Sequence, residues 1–420
     1  MRVLLGPSHE LHAGVHGSLT DWPVPEVEYV ERTYSMHFQH RRCTGPPFSP
    51  VHDLSDCEWL RFDREDDIDL VHAARFPVDT CLPWVVDADC LVLPLRFGTF
   101  FAYGMHYGAP RPNEKQIKQR EALMAARYAE PRCGRIMLRS EHAKRHFLQV
   151  IADNHLIDGY TRDALAEKAQ VIYPAVRAAP LSPNRQGHPR LLFMGRTFLD
   201  KGGLLLVAVL EQLRLLHGHS LEATVVAPCP PAVKARLSSL GVDVQPIGDR
   251  NEYLSRLARA DIFFSPTLFE NFGMGLLEAC AAGAAIVTSC GPGMEHIGEL
   301  FRDGKEALLV SNALAEEARV AAYVDAVAML ICDADLRRKL GCNAHAMVSE
   351  GRFSLARRNR DLAEIYNAAL NSTPANSVSA PLCGSQAPSG SSSNVLIWSE
   401  HLCHWTMQRH APQGSLRICV

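Results

Sequence analysis

Two carboxylates and two glycines lie close together between residues 265 and 283, in a pattern that suits the binding of a polar ligand. Glu270 and Glu278 are separated by seven residues, and Gly273 and Gly275 lie between them. An ionised carboxylate only accepts hydrogen bonds, so it suits paired hydroxyl groups. We predict a helix that begins near Gly273, whose first N–H groups are unpaired and carry the positive end of the helix dipole. The glycines would let this backbone approach a phosphate or a polarised hydroxyl closely.

Two cations form a second group about seventy residues upstream. Arg196 and Lys201 follow Gly195, directly after a predicted strand, and Gly202 and Gly203 come next. Ligands of open α/β sheets bind beyond the carboxyl ends of the strands, where both cations would project. Arginine offers a planar fork to phosphate oxygens, and lysine a compact charge. Together they suit a diphosphate leaving group.

The bulk composition excludes several classes of protein. The 420 residues include 43 Lys and Arg against 46 Asp and Glu, for a net charge of −3, which excludes a globally basic nucleic-acid binder. The 13 cysteines contain no C-x-x-C pair, which is typical of reduced thiols in a cytosol. The apolar run at residues 1–7 is too short for a signal peptide, and no stretch reaches the roughly 18 apolar residues of a membrane span. We therefore expect a cytoplasmic protein that is soluble or at most peripheral to a membrane.

Apolar runs of strand length alternate with helical patterns over most of the chain, which indicates parallel sheets covered by helices. The length suggests two α/β domains. A proline-containing polar segment separates them, and a tail rich in Ser, Pro, Ala and Gly is predicted to be disordered. The predicted divisions are residues 1–176 for the first domain, 177–188 for the linker, 189–350 for the second domain, 351–370 for a last helix that crosses back, and 371–420 for the tail.

These motifs, in this order, resemble the retaining GT-B glycosyltransferases of family 4 (glycosyl transferases group 1), which carry an E-x7-E motif. The resemblance extends over roughly residues 1–370 and implies two Rossmann-like domains that face each other across a cleft. The first domain would bind the acceptor and the second the nucleotide-sugar donor. The supporting fragments are Ser140–Lys144, Val171–Pro174, Gly291–Glu295 and Ala307–Val310.

The resemblance also implies a role for each motif. Glu270 and the backbone of residues 271–274 would hold the transferred sugar, and Glu278 the ribose hydroxyls. Arg196 and Lys201 would neutralise the departing diphosphate, which is the main electrostatic contribution to the transition state. The donor would be a UDP- or GDP-sugar, the anomeric configuration would be kept, and neither a cofactor nor a metal would be needed. The implied donor-binding residues are Gly14, Gly195, Arg196, Lys201, Glu270, Asn271, Phe272, Gly273, Met274 and Glu278.

The first domain departs from the family at one position. Many members carry a histidine just after a strand that begins with a Pro-aromatic pair, and here that strand is Pro83–Asp89. Asp89, or alternatively Asp87, occupies the matching position, and we take Asp89 as a catalytic candidate that would orient the acceptor or stabilise positive charge. A strand-end turn is the alternative reading of Asp89, and His72 is a second candidate for the missing histidine. The two aspartates also fit a metal-binding D-x-D motif, but the E-x7-E motif places the donor elsewhere.

Three histidines, His9, His12 and His16, lie in the glycine-containing loop Ser8–Ser18 after the first strand. No cysteine or carboxylate accompanies them at a typical ligand spacing, so we predict no metal site there. A contact with the acceptor or the diphosphate is the better interpretation, with Gly14 as the point of closest approach.

A basic segment of the first domain has two interpretations. The segment Glu114–Phe147 carries nine lysines and arginines, which is typical of a solvated helix face or of a surface that contacts anionic lipid.

Nucleotide-sugar 2-epimerases share the implied two-domain fold, so an isomerase is the second functional hypothesis. A non-catalytic nucleotide-sugar binding protein is the third, because the family histidine is missing near residue 89.

Overall fold

The computed structural model describes a chain built around two six-stranded parallel sheets, each covered by helices. No helix of the described part is long and apolar enough to cross a membrane. The described residues are 1–6, 11, 14–31, 60–62, 67–74, 77–88, 113–181, 187–218, 220–268 and 270–372.

The first sheet has the strand order β2-β1-β4-β6-β7-β8, and all of its neighbours are parallel. From β1 the chain continues to β2 on one side, and from β4 it continues to β6 on the other. The ends of β1 and β4 therefore form a topological switch point. Its strands are β1 (Arg2–Gly6), β2 (Glu28–Glu31), β4 (Leu70–Ala74), β6 (Trp84–Ala88), β7 (Cys133–Leu138) and β8 (Ala169–Val171), and a separate pair is formed by β3 (Leu60–Phe62) and β5 (Val78–Thr80). The described helices of this half are α1 (Gly17–Asp21), α2 (Glu114–Ala129), α3 (Glu141–Asp153) and α4 (Gly159–Lys168).

The second sheet has the order β11-β10-β9-β12-β13-β14, which is the strand order of a Rossmann fold. Its switch point lies between β9 and β12, where ligands of such sheets bind. The strands are β9 (Arg190–Met194), β10 (Glu222–Val226), β11 (Asp243–Gln245), β12 (Ile262–Ser265), β13 (Ala285–Cys290) and β14 (Ala307–Ser311). The helices are α5 (Gly203–His217), α6 (Pro231–Ser239), α7 (Arg250–Leu257), α8 (Met274–Ala281), α9 (Glu295–Leu300), α10 (Glu316–Cys332), α11 (Ala334–Ser349) and α12 (Leu355–Ser372).

Both faces of the first sheet are buried, so its strands are apolar without alternation. Leu4 of β1 faces a cluster that includes Phe147 of α3. Val3 and Leu5 point to the opposite face and pack in one cluster with Ile365 of α12. The last helix therefore crosses back from the second domain and completes the core of the first, as predicted.

The α/β fold with two Rossmann-like sheets is confirmed, and several element assignments from the sequence need correction. The apolar run Val171–Tyr173 predicts a strand, but the strand is observed at Ala169–Val171. The sequence pattern predicts a short helix over Tyr253–Arg259, but the helix begins at Arg250. The Asp249 side chain caps it by accepting a hydrogen bond from the Glu252 backbone N–H at 2.9 Å. Short elements were missed altogether, namely α1, β2, β3, β5, α4 and α9. The domain divisions stay predictions, and residues 373–420 of the predicted tail lie outside the described residues.

The basic segment Glu114–Phe147 forms a helix, a strand and part of a second helix instead of one continuous helix. Two of its arginines point inward. Arg127 donates to the backbone carbonyl of Val78 at 3.1 Å, and Arg139 is only 4% exposed. Its positive charge is therefore divided among separate elements, and lipid contact stays a prediction.

Glu299 of α9 joins the second domain to the first. Its carboxylate accepts hydrogen bonds from the backbone N–H groups of Glu141 and His142, each at 2.8 Å, and from the Tyr173 hydroxyl at 2.9 Å. The two N–H groups belong to the first turn of α3, where the helix dipole stabilises a negative charge. Burial, followed by the hydrogen bond to Glu299, raises the pKa of Tyr173, which therefore stays a neutral donor.

We expect Glu299→Ala to lower the free energy of unfolding by about 2 kcal/mol, because hydrogen bonds to a charged acceptor are lost and three donors lose their partner. Urea unfolding followed by circular dichroism measures the change. Glu364→Ala, which removes an exposed glutamate of α12, is the matched control and should change little. Equal stability of the two variants would contradict a stabilising role for this contact.

Candidate functional site

The ends of β9 and β12 bring a lysine and a glutamate into direct contact. Lys201 lies in the loop after β9, and Glu270 in the loop after β12. The Lys201 Nζ donates to the Glu270 Oε2 at 2.6 Å, and the two side chains are 27% and 24% exposed. The pair is thus formed at the switch point of the second sheet and stays accessible to a ligand.

The two loops approach closely because of a glycine. Gly202 has a φ of +77°, and a Cβ at this position would lie 1.9 Å from the carbonyl oxygen of Pro266. The contact is extended by the Leu268 N–H, which donates to the carbonyl of Asp200 at 3.3 Å. These contacts fix the backbone on both sides of the Lys201–Glu270 pair.

Helix α8 begins beside Glu270 and has no side-chain cap. Gly273 is its N-cap residue, with a φ of +96°, which favours glycine. The Glu270 Oε1 accepts from the Asn271 N–H at 3.2 Å. The first N–H groups of α8 therefore lie next to the lysine–glutamate pair, where an anion or a polarised hydroxyl would be stabilised. The side chain of Phe272, in contrast, is buried in the core, so this predicted donor-binding residue offers only its backbone.

Glu278 is held in a buried position by two partners that sequence reasoning missed. It is 6% exposed, and Arg250 of α7 contacts its Oε1 at 2.6 Å. The Tyr253 hydroxyl donates to its Oε2 at 2.5 Å. Burial, and then the charge of Glu278, raises the pKa of Tyr253, which stays a donor. The sequence signal for these partners was the Asp249 cap, which puts Arg250 and Tyr253 on the first turn of one helix.

Arg196 lies in the loop after β9, which also contains Lys201. Its guanidinium is close enough to Tyr253 to oppose the raised pKa of that hydroxyl, and the residue is exposed. Gly195, just before it, leaves room for the lysine stem, because a Cβ there would lie 2.8 Å from the Cγ of Lys201. The predicted residues thus lie in loops and at a helix start along one edge of the second sheet. Lys201 is paired with Glu270, whereas Glu278 is paired with Arg250 and not with a predicted cation.

His296 of α9 is a further member that sequence reasoning did not single out. It is 1% exposed, and among the described residues its Nε2 has no hydrogen-bond partner. Burial lowers the pKa of His296 to about 4. The negative charges of Glu270, Glu299 and Glu295 act to raise this pKa, and His142 lowers it further. The imidazole is therefore neutral beside Glu270 at neutral pH.

We expect the stability of the protein to fall between pH 6.5 and 4 through His296. The unfolded chain takes up a proton near pH 6.5 while the folded state resists it down to about pH 4. The stabilisation is therefore complete above pH 6.5, is lost as the pH falls through this window, and amounts to about 3 kcal/mol at most. His296→Leu cannot be protonated, so its free energy of unfolding should fall less steeply in the same window, whereas His155→Leu at an exposed site should keep the wild-type slope. Parallel curves for wild type and His296→Leu would contradict the assignment.

A second polar cluster lies in the first domain, at the switch point beside β1. The His16 Nε2 lies 3.2 Å from the Asp87 Oδ2, and the Arg139 Nε lies 3.5 Å from the Asp87 Oδ1. Burial alone would raise the pKa of Asp87, but Arg139, His16 and His72 lower it below its usual range. Asp87 is therefore an ionised carboxylate in the interior.

His72 of β4 completes this cluster. Its Nδ1 is hydrogen-bonded to the Tyr366 hydroxyl at 2.7 Å, and Tyr366 is also hydrogen-bonded to Tyr29 at 3.0 Å. Burial lowers the pKa of His72 to about 3, so its ring is neutral. His72 and Asp87 line a pocket together with Arg358 of α12.

The structure clarifies some predictions for the first domain and leaves others outside its reach. Asp89, His9 and His12 lie outside the described residues. Gly14 is buried in the turn that leads to His16. The histidine-containing loop Ser8–Ser18 has no carboxylate nearby in sequence. His16 of this loop nevertheless has a carboxylate partner, Asp87, which comes from a strand about seventy residues away in sequence.

Comparison with known proteins places this architecture among glycosyltransferases. Residues 188–333 match the family described as "Glycosyl transferases group 1". The chain is 26% identical over 280 residues to D-inositol 3-phosphate glycosyltransferase of Nocardia farcinica, which covers 62% of this chain and 57% of that protein. It is 31% identical over 189 residues to alpha-maltose-1-phosphate synthase of Mycolicibacterium smegmatis, which covers 42% and 47%. The chain thus spans about half the length of these curated relatives.

A solved structure supports the fold. Sucrose-phosphate synthase from Thermosynechococcus elongatus superposes with a TM-score of 0.50 at 16% identity, over 73% of this chain and 75% of that one. At this identity the similarity concerns the fold alone. The match of residues 188–333 to the family nevertheless includes both loops, which contain Lys201 and Glu270. The second domain is therefore similar to the glycosyl transferases group 1, and the chain has a two-domain GT-B-like fold.

Proposed function

We propose that the protein is a retaining glycosyltransferase that moves a sugar from a UDP- or GDP-sugar to a hydroxyl-bearing acceptor. The observation that supports this most directly is the 2.6 Å contact between Lys201 and Glu270, at the switch point of the second sheet and beside the uncapped start of α8. A cation, a carboxylate and free backbone N–H groups in one place suit a sugar linked to a diphosphate.

In this proposal the donor separates the pair. The Lys201 ammonium turns from Glu270 to the diphosphate, and Glu270 accepts from hydroxyls of the sugar. As the bond between the anomeric carbon and the diphosphate oxygen breaks, its electron pair stays on the diphosphate, and Lys201 and Arg196 stabilise the growing negative charge. The acceptor oxygen bonds to the anomeric carbon on the face that the diphosphate leaves, and its hydroxyl proton passes to the departing diphosphate oxygen. The configuration is therefore retained.

Glu278 would accept from the ribose hydroxyls. Its present partner Arg250 is 46% exposed and can move into solvent, so that the ribose takes its place on the carboxylate. Tyr253 would keep its hydrogen bond and hold the carboxylate in position. The neutral, buried His296 next to Glu270 would limit the access of water to the sugar.

A panel of UDP-, GDP- and ADP-sugars tests the proposal, with nucleotide release as the first readout and NMR of the product as the second. We expect release of one nucleoside diphosphate per sugar transferred and an unchanged anomeric configuration. Inversion at the anomeric carbon would refute retention. Conversion of the donor sugar without an acceptor would identify an isomerase instead, and tight binding without turnover against any acceptor would identify a binding protein.

A further inference from the structure

We propose that His16, His72 and Asp87 form a binding site for one divalent transition-metal ion of the zinc type. The three residues come from the turn after β1, from β4 and from β6, and all are buried. They meet at the switch point of the first sheet, the position where open α/β sheets bind their ligands. This site lies in the other domain from the lysine–glutamate pair and does not depend on the proposed transfer reaction.

The spacing of the ligand atoms fits one ion after a small adjustment. Their donor atoms all lie within 4.8 Å of one another. Zinc binds imidazole nitrogen and carboxylate oxygen at about 2.0–2.2 Å with tetrahedral geometry, so two ligand atoms of one ion lie about 3.3–3.6 Å apart. His16 and Asp87 are already 3.2 Å apart. Side-chain rotations that bring the remaining ligand atom closer by at most about 1.5 Å would complete the site.

The orientation of His72 is the second, independent observation. It is 1% exposed, and among the described residues its Nε2 has no hydrogen-bond partner. Its Nδ1 is paired with the Tyr366 hydroxyl, which fixes the ring. Histidines that bind metals are commonly held in this way, with one nitrogen hydrogen-bonded and the other free for the ion. A hydrogen bond between His16 and Asp87 would explain those two residues without a metal but would leave the buried Nε2 of His72 without a partner.

The donor set and its surroundings define the class of ion. Two imidazoles and one carboxylate favour zinc and similar ions over magnesium and calcium, which prefer oxygen ligands. The second carboxylate oxygen of Asp87 faces Arg139, as is usual for a carboxylate held by an outer hydrogen bond. The pocket lined by His72 and Asp87 leaves a coordination position open to a water molecule or an acceptor group.

Metal binding to the wild-type chain, purified without a histidine tag and stripped with a chelator, is the first test. Equilibrium dialysis against zinc chloride, with metal analysis, should show a saturable site, and zinc should raise the midpoint of thermal unfolding. Cobalt(II) in the same site should give the absorption of a four- or five-coordinate ion with nitrogen and oxygen ligands. Absence of saturable binding, or a cobalt spectrum with thiolate bands from the 13 cysteines, would overturn the proposal.

Variants assign the site. His72→Gln should lose the bound metal, and Tyr366→Phe, which keeps all three ligands, should weaken binding about 10-fold. His155→Gln, at an exposed histidine, is the matched control and should bind like the wild type. Zinc that remains equally bound in folded His72→Gln would show that it occupies another site. If His72→Gln does not fold, Tyr366→Phe and the cobalt spectrum of the wild type still decide. These readouts need no sugar donor, so they stand or fall separately from the transferase assay.

Discussion

Lys201→Ala is expected to lower kcat of the proposed transfer about 10²- to 10³-fold, the usual effect of removing one group that stabilises charge in the transition state. The ammonium lies 2.6 Å from Glu270, where it would contact the diphosphate of the donor in the proposed reaction. Its loss leaves only Arg196 and solvent to stabilise the charge on the leaving diphosphate. Steady-state release of nucleoside diphosphate at saturating donor measures the change.

The control must separate catalysis from stability. Arg338→Ala removes an exposed cation of α11 that pairs with Asp335, and it should leave kcat unchanged. Glu270→Gln keeps the shape of the second partner but not its charge, and it should lower kcat as well. Turnover of folded Lys201→Ala at the wild-type rate would show that the lysine–glutamate pair is only a surface contact.

Gly202→Ala is expected to lower the free energy of unfolding by about 2–5 kcal/mol. A non-glycine residue at a φ of +77° is strained, and its Cβ would lie 1.9 Å from the Pro266 carbonyl oxygen, which belongs to backbone and must shift. The shift would separate the loop of Lys201 from the loop of Glu270. Urea unfolding measures the stability. Calorimetry measures the affinity for nucleotide, which should fall if the two loops have moved apart.

Gly298→Ala provides the matched control for this glycine. A Cβ at that exposed position of α9 meets nothing within 4 Å, so the substitution should be neutral or stabilise the protein by less than about 1 kcal/mol. Equal stability of Gly202→Ala and Gly298→Ala would mean that the close approach at Pro266 is not required.

The second domain was largely predictable because its signals are local. Buried parallel strands such as Arg190–Met194 are apolar runs, and their carboxyl ends indicate where ligands bind. Lys201 and Glu270 each follow such a strand, so their proximity follows from the Rossmann order of the sheet. The capping carboxylate of Asp249 is a local signal of the same kind, and it places the start of α7 at Arg250.

The partners formed by tertiary contacts were not predictable in the same way. The contact of Glu278 with Arg250 depends on how α7 packs beside α8, and nothing in the spacing of 28 residues reveals it. The cluster of His16, His72 and Asp87 requires the order of the first sheet, in which β1, β4 and β6 are neighbours. A glycine-rich loop and two apolar strands carry no local sign of that order. Elements of three to six residues, such as β2 and α9, were missed because they are too short to show a period.

The return of α12 to the first sheet has a consequence for biosynthesis. The face of that sheet formed by Val3, Leu5 and Met137 is fully covered only when Ile365 and its neighbours have been made. At translation rates of about 5–20 residues per second, this apolar surface waits roughly 10–40 s after β8 has left the ribosome. The second domain, whose strands and covering helices are contiguous, can fold in that interval. We therefore expect the nascent chain to mature in reverse order, with the amino-terminal half dependent on chaperones until the last helix emerges.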